Sequence, residues 1–474
     1  MIFTPIYEKR TADCFLFGST VQAAAHPCLN NDAIRSFWQG FCCQSGCIQF
    51  TKQAEEFLLS VGEAQKPNLD GYAYAVNIEK TGFCIVGSSE KGLIRGLMTL
   101  LQQIRPQQLS ENAAVFALPC GKFKENPRLK NQMVHFCIFP ETELWEIEKF
   151  IRFSAALKYT HIVLEFWGML QYDCLKELAW KNAFTKAQIR PLIELANTLG
   201  MEVIPMFNHW GHASASRSMH GKHVVLDQNP KLQMLFAEDG WTWNIREPAV
   251  QNLLRSIRQE LTELCGPGEY FHLGCDEAAN FPITADSYTV LTDYLNGITE
   301  ELAADGRRPI IWGDMLITKH PTFDPENHYI ASCTDPELEQ CLLTHLDPRI
   351  VIADWQYGVR KAPVETALVF RDAGFDTLLC PWDRTESPNS VTPCVQTAMQ
   401  EDLFGILHTT WHTLSRGMPE VARAAFHAWN PSDVAEPLPA FFATGAATLL
   451  RKVYPVNGDY EKAGWAKKQI STRT

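Results

Sequence analysis

The stretch MVHFCIFPETELWEIEKFIRFSAALKYTHIVLEF (133–166) holds the repeating unit that decides the fold. It opens with the apolar run MVHFCIF (133–139) and closes with another, HIVLEF (161–166). Between them Glu143–Lys158 carries apolar residues at helical spacing. Runs that are apolar on both faces suit parallel strands buried between a core and covering helices. The unit then recurs through six further runs: EVIPMF (202–207), YFHLG (270–274), PIIWG (309–313), RIVIADW (349–355), DTLLCPW (376–382) and GILHTTW (405–411). Helical patterns stand between many of them, at Lys186–Gly200, Ala249–Cys265, Ser287–Asp305 and Pro363–Ala373. Eight strand-and-helix units over about 300 residues predict an α/β fold, a (β/α)8 TIM barrel. An open doubly wound sheet is the alternative, but it would normally carry a Gly-rich phosphate turn after its first strand, and this sequence has none.

Ahead of the barrel the pattern is different. Residues between Asp70 and Val86 alternate (YAYAVNIEKTGFCIV), which predicts a hairpin turning at Glu79–Gly82. Glu90–Ile104 is spaced as a helix, and Pro106 stops it. The expected organisation is a small α+β domain over 1–122, the barrel over 123–438, and a C-terminal helix and tail over 439–474, with Pro119–Pro127 as linker.

Composition excludes several classes. Lys plus Arg number 42 and Asp plus Glu 54, a net charge of −12 without any basic run, so nucleic acid is a poor partner. Hydrophobic residues make up 46%, too many for a disordered chain. The longest near-apolar stretch, Ala440–Leu450, is too short to cross a bilayer, and no membrane partner is expected. The N-terminus shows no signal-peptide pattern. Cysteines number 15, scattered through expected strands and helices, which suits reduced thiols and a cytoplasmic location. The cluster Cys42, Cys43, Cys47 lacks the C-x-x-C spacing of zinc sites and reads as buried or incidental thiols.

In a barrel the reacting groups project from the C-terminal ends of the strands. The second run ends in Glu165 and Trp167, and the third leads into Asn208-His209-Trp210-Gly211-His212. The fourth leads to Asp276-Glu277, and the fifth to Trp312 and Asp314. The sixth gives Asp354, Trp355 and Tyr357, the seventh Trp382, Asp383 and Arg384, and the eighth Trp411 and His412. Carboxylates, imidazoles and tryptophans converge at one end, the pattern of a site for a polar substrate with an apolar face. Adjacent Asp276 and Glu277 point different ways, because side chains alternate along a strand, so they can serve two stations on one substrate. A like charge next door and apolar walls would raise the pKa of one of them, as a general acid requires. A solvated Asp-Glu pair favoured at a helix N-terminus is the plainer alternative.

The segment His272-x-Gly274-x-Asp276-Glu277 resembles the signature of glycoside hydrolase family 20, the β-N-acetylhexosaminidases, and is closest to its hexosaminidase D type. Val203-Ile204-Pro205 to Gly211-His212, IIWGDML (310–316), ADWQY (353–357) and GILHTTW (405–411) are similar to further segments of that family. The hairpin-and-helix unit is similar to the small domain before the family's barrel. The resemblance implies an exo-acting hydrolase that releases terminal β-linked N-acetylhexosamine (GlcNAc, GalNAc or both) from a glycan without a cofactor or metal. It implies substrate-assisted retaining catalysis through an oxazolinium intermediate, an exception to the two-carboxylate scheme. Asp276 would orient the 2-acetamido group and Glu277 would act as general acid and base. Tyr357 would hydrogen-bond the acetamido oxygen, and Trp312, Trp355 and Trp411 would wall the sugar. His212 and Glu165 would back the two carboxylates. A homodimer is compatible with the resemblance.

Two departures stand out. Many members carry an Arg at the start of the first strand, where this chain has Asn131-Gln132-Met133-Val134-His135. Many also carry a Glu shortly after the last Trp, where this chain has His412-Thr413. Asp383, Arg384 and His412 are the candidates to contact the sugar's outer hydroxyls instead, and Trp382 is a further candidate to bind the substrate. Two other readings stay open. One is a carbohydrate-binding pseudoenzyme on the same barrel. The other is a metal-dependent hydrolase using His209, His212, His272 and Asp314.

Overall fold

The computed structural model describes residues 7–17, 22–25, 49–50, 58–61, 72–110, 113–213, 229–238, 240–278, 281–382, 389–411, 414–430 and 437–454. Its first layer is a sheet built from β1 (Tyr7–Phe17), β2 (Gln22–Ala25), β3 (Gln49–Phe50), β4 (Leu58–Val61), β5 (Tyr74–Glu79), β6 (Gly82–Gly87), β7 (Arg105–Ser110) and β8 (Ala113–Glu125). The order is β1-β8-β5-β6-β4-β2-β3, with β7 also on β8. The expected hairpin is β5–β6, antiparallel, with Glu79 opposite Gly82. Helix α1 (Glu90–Gln103) comes next, its N-terminus capped by Ser89, whose hydroxyl accepts the Gly92 N–H at 3.1 Å.

The expected linker 119–127 is instead mostly strand, because β8 runs on to Glu125. Pro119 reads as a breaker, yet it sits where it costs no ladder bond on one side. Pairing with β7 ends at Ala117 and pairing with β5 begins at Gly121, so only β1 lies opposite it, through Cys14.

The barrel is closed and parallel throughout. Its staves are β9 (Asn131–Cys137), β10 (His161–Glu165), β11 (Glu202–Met206), β12 (Tyr270–His272), β13 (Arg308–Trp312), β14 (Val351–Trp355), β15 (Thr377–Cys380) and β16 (Gly405–His408), with β16 returning to β9. Each lies within or overlaps one of the eight apolar runs. Around them stand α2 (Leu144–Ala156), α3 (Lys186–Thr198), α4 (Pro248–Cys265), α5 (Thr289–Ala304), α6 (Pro336–His345), α7 (Glu365–Asp372), α8 (Val391–Gln400) and α9 (Leu414–Trp429), followed by α10 (Pro439–Val453). The period of two along each strand sorts the side chains. Met133, Val163, Ile204, Tyr270, Ile310, Val351, Leu378 and Leu407 plug the barrel's interior. One repeat further along the same face come His135, Glu165, His272 and Trp312, so the plug turns polar toward the C-terminal mouth. The opposite parity (Ile162, Leu164, Val203, Phe271, Ile311, Ile352) packs outward in the main core.

A buried cation ties the sheet to the barrel. Lys158 stands just beyond α2 in a left-handed conformation (φ 66°). Its ammonium lies 2.6 Å from Glu125 Oε2 and 2.8 Å from the Tyr74 hydroxyl, and 4.2 Å from the centre of the Trp429 ring.

Candidate active site

The loop after β12 carries the central pair. Gly274 (φ 68°), Cys275 (φ 77°) and Glu277 (φ 50°) are all left-handed, and only the first is a glycine. A Cβ on Gly274 would sit 2.5 Å from Asn208 Nδ2, so the missing side chain lets the loops after β11 and β12 meet. His212 (φ 55°), Trp167 (φ 47°) and Trp411 (φ 27°) are left-handed in neighbouring loops at the same mouth. Each costs on the order of 1 kcal/mol and persists only because its surroundings hold it.

The two carboxylates do not diverge as strand alternation suggests: both turn to one imidazole, from a left-handed loop beyond the strand, yet their environments differ sharply. Asp276 is buried (5% exposed). Its Oδ1 accepts the Asn208 amide at 3.1 Å and its Oδ2 lies 3.2 Å from His212 Nε2. The Glu277 side chain is 49% exposed, with Oε2 2.9 Å from the same His212 nitrogen. One imidazole thus bridges both acids. Trp241 closes this side, with its ring 4.2 Å from that of His212 and its indole N–H donating to the Glu277 carbonyl at 2.9 Å. The apolar enclosure anticipated around the pair therefore holds for Asp276 alone.

Behind them lies Asp314, 1% exposed. Its Oδ2 accepts the Glu277 backbone N–H at 3.2 Å and the Ser332 hydroxyl at 3.0 Å, while its Oδ1 accepts the Trp355 indole at 3.1 Å. Burial first, and then the Asp276 charge, push this carboxyl up to about 7 against those three donors. It is the acid that burial and a like charge raise here.

The opposite wall is aromatic. Trp355 lies 5.1 Å from Tyr357, and Tyr357 lies 5.2 Å from Trp382. The Tyr357 oxygen accepts the Trp411 indole at 2.7 Å and the Thr409 hydroxyl at 3.2 Å. Burial holds its phenol protonated far above the usual range, so its own O–H is the group left to offer a ligand. Trp312 stands 6.0 Å from Trp411. Between them, at the floor, the edge of His135 meets Trp411 at 4.7 Å.

Of the residues singled out in the sequence, Asp276, Glu277 and His212 meet directly, and Tyr357, Trp312, Trp355, Trp382 and Trp411 form one aromatic network. Glu165 sits at the floor, 2.9 Å from His135 Nε2 and 3.1 Å from Cys137 Sγ. Asp354 does not join the site. Its parity turns it outward, where it accepts Thr366 of α7 at 2.6 Å and Gln356 at 2.8 Å, and burial raises it to about 6. Trp210 likewise is core, buried against Phe281. Asp383, Arg384, His412 and the Cys42–Cys43–Cys47 cluster lie outside the described residues.

The four proposed metal ligands are not united. Among the described residues the groups able to share an ion are His135–Cys137–Glu165, His161–Glu202–Glu269 and His212–Asp276–Glu277. His209 instead donates to the Phe207 carbonyl at 2.6 Å, and His272 accepts the Gly274 N–H at 3.1 Å. Motif reading passed over Trp241 and Ser332, and it noted Asn208 and Asp314 at strand ends without seeing that they bond Asp276 and the Glu277 main chain. Asp314 was visible as a carboxylate just past the fifth strand end, but its partners were not, because it sits in the turn after β13. Trp241 and Ser332 lie on loops far from any strand end and carry no local signal.

Residues 163–357 match the family model described as "Glycosyl hydrolase family 20, catalytic domain". The chain is 22% identical over 284 residues to a lacto-N-biosidase of Bifidobacterium bifidum, covering 56% of this chain and 24% of that relative. It is 23% identical over 279 residues to a beta-hexosaminidase of Porphyromonas gingivalis, covering 51% of this chain and 36% of that one. The chain thus spans only about a quarter to a third of the length of these two relatives. The structure superposes on that of a beta-N-acetylhexosaminidase from Bacteroides fragilis with a TM-score of 0.69 at 14% identity, over 94% of both chains, which shows the fold. Barrel, motif and family model point the same way: residues 163–357, from the second stave of the barrel to Tyr357, are similar to a glycosyl hydrolase family 20 catalytic domain.

Proposed function

We propose that the chain is an exo-acting glycosidase that releases terminal β-linked N-acetylhexosamine by substrate-assisted retaining catalysis. The observation that carries the reading is the contrast within the adjacent pair. Asp276 is buried and pinned by Asn208 and His212, as a group that orients a ligand amide must be. Glu277 is half-exposed and reaches toward solvent, as a group that exchanges protons with a leaving group and water must be.

In the first step the acetamido oxygen bonds to C1 while the C1–O bond to the leaving group breaks, and Glu277 gives its proton to the departing oxygen. Asp276 takes the N–H of the acetamido group and offsets the positive charge of the oxazolinium. Tyr357 donates its O–H to the acetamido oxygen, and Trp312, Trp355 and Trp411 hold the acetyl methyl and the sugar face. In the second step water bonds to C1, its proton passes to Glu277, and the C1–acetamido bond reopens with configuration retained. Asp383, Arg384 and His412 are proposed to read the outer hydroxyls in place of the missing Arg. A reducing cytoplasm is the proposed location, which the scatter of the 15 cysteines along the chain suits.

The test is release of aryl alcohol from aryl β-GlcNAc and β-GalNAc by wild type, Asp276→Asn and Glu277→Gln, with and without chelator. Wild type turns over, chelator has no effect, and each variant loses roughly 100-fold or more with a poor leaving group. Binding without turnover by wild type would leave the pseudoenzyme reading standing instead, and loss of activity in chelator would favour a metal enzyme.

A further inference from the structure

We propose that Asp314 is a positioning residue that holds the general acid Glu277 in register with the sugar's aromatic wall. This rests on the reading of Glu277 as the acid.

The Glu277 main chain is held in an unfavourable conformation. A left-handed φ of 50° brings Cβ close to the following carbonyl, and two hydrogen bonds keep the residue there. Its carbonyl accepts Trp241 Nε1 at 2.9 Å, and its N–H donates to Asp314 Oδ2 at 3.2 Å. The first anchor comes from a loop on the His212 side and the second from the turn after β13, the stave beside β12. Between them they set the direction in which the Glu277 side chain leaves the main chain.

Asp314 is built to be such an anchor. It lies in the short turn after β13, two residues beyond Trp312, and is buried. Each of its three carboxylate partners is a donor. Ser332 is tied to it twice, by its hydroxyl to Oδ2 at 3.0 Å and by its N–H to the Asp314 carbonyl at 2.7 Å, which fixes the carboxylate's rotation. The remaining oxygen takes the Trp355 indole at 3.1 Å. Trp355 contacts Tyr357, and Tyr357 accepts Trp411. A single carboxylate therefore spans the acid's main chain and the wall against which the sugar would lie. Burial and the nearby Asp276 both work against charge on this group, yet three donors converge on it. Such an arrangement is costly for packing alone and is accounted for if the geometry of Glu277 depends on it.

A displaced acid has a specific kinetic signature. It hurts substrates in proportion to how much protonation their leaving group needs. A merely structural defect lowers all of them alike. The experiment therefore compares kcat/KM of Asp314→Ala with wild type on a dinitrophenyl glycoside, which departs without protonation, and on a methoxyphenyl glycoside, which does not. Both carry whichever N-acetylhexosamine wild type accepts. Trp355→Phe, which removes the wall's link to Asp314 and keeps an aromatic ring, and Glu277→Gln are run alongside.

The expected result is a loss about 10- to 100-fold larger on the methoxyphenyl than on the dinitrophenyl substrate, in the same sense as Glu277→Gln. Trp355→Phe should lose equally on both. Equal losses for Asp314→Ala on the two substrates overturn the proposal while leaving the proposed activity intact. No leaving-group dependence in Glu277→Gln removes the acid assignment and this inference with it. Wild type inactive on both substrates refutes the proposed function itself. Should Asp314→Ala fail to fold, Ser332→Ala is read in the same assay. It loosens the same oxygen and should show the same dependence at about 3-fold; equal behaviour on both substrates overturns the proposal there as well.

Discussion

Gly211→Ala tests whether the two loops that build the acid pair are packed as described. Gly211 stands between Asn208 and His212, both of which reach across to Asp276. A Cβ at this position would lie 1.9 Å from the Asp276 carbonyl oxygen and 3.1 Å from the Ala278 nitrogen, both backbone atoms that cannot rotate away. Bringing the first distance to an ordinary contact parts the loops by about 1.5 Å. Three interactions cross that seam: Asn208 to Asp276 at 3.1 Å, His212 to Asp276 at 3.2 Å and His212 to Glu277 at 2.9 Å. All three sit at the length where an added 1 Å abolishes them as hydrogen bonds. Overpacking of this kind costs about 1–3 kcal/mol of stability. A displacement of that size at a reacting group costs on the order of 100-fold in rate. The assay is kcat/KM on an aryl N-acetylhexosaminide together with a thermal melt. A folded variant should lose roughly 100-fold in kcat/KM and melt several degrees lower. A variant within about 3-fold of wild type and with an unchanged melt would refute the packing of these loops and the pinning of Asp276 drawn from it.

Other groups set three further outcomes. Trp411→Phe removes the indole N–H that Tyr357 accepts at 2.7 Å, so KM for the aryl substrate should rise about 5- to 10-fold; a KM unchanged within error would separate Tyr357 from the binding site. Asp354, with its carboxyl raised by burial from 3.8 to about 6, binds its proton more tightly folded than unfolded. Stability from this group is therefore present below about pH 4 and lost as pH rises through about 6, a change of roughly 3 kcal/mol. Melts of Asp354→Asn should accordingly fall less than wild type between pH 4 and 7, and parallel slopes would contradict the burial argument. Lys158→Met leaves Glu125 beside Tyr74 without its cation and should cost about 3–5 kcal/mol, most of it regained when Glu125→Gln is added. Non-recovery in the double variant, measured by denaturant unfolding, would show that the pair does not act as a unit.

Much of this protein is legible in one dimension because its signals are local. The eight runs from MVHFCIF to GILHTTW lie on eight parallel staves, and helices such as Lys186–Thr198 and Pro248–Cys265 fall where the 3.6-residue spacing puts them. Strand alternation suggested that Asp276 and Glu277 diverge, but the pair lies in a left-handed loop beyond β12 and both carboxylates turn to His212. What the chain alone could not decide depends on which segments pack together. Pro119 reads as a breaker and becomes strand because its neighbours' pairing stops on either side of it. Asp354 and Trp355 are adjacent, and only the barrel's inside and outside send one to Thr366 and the other to Asp314. The burial of Asp276 against the exposure of Glu277, and the anchors Asn208, Trp241, Asp314 and Ser332, arise from loops tens to more than a hundred residues apart meeting at one mouth. Periodicity tells which residues share a face. Only closure of the barrel determines what that face meets, and with it which carboxylate is buried and which is left half-exposed.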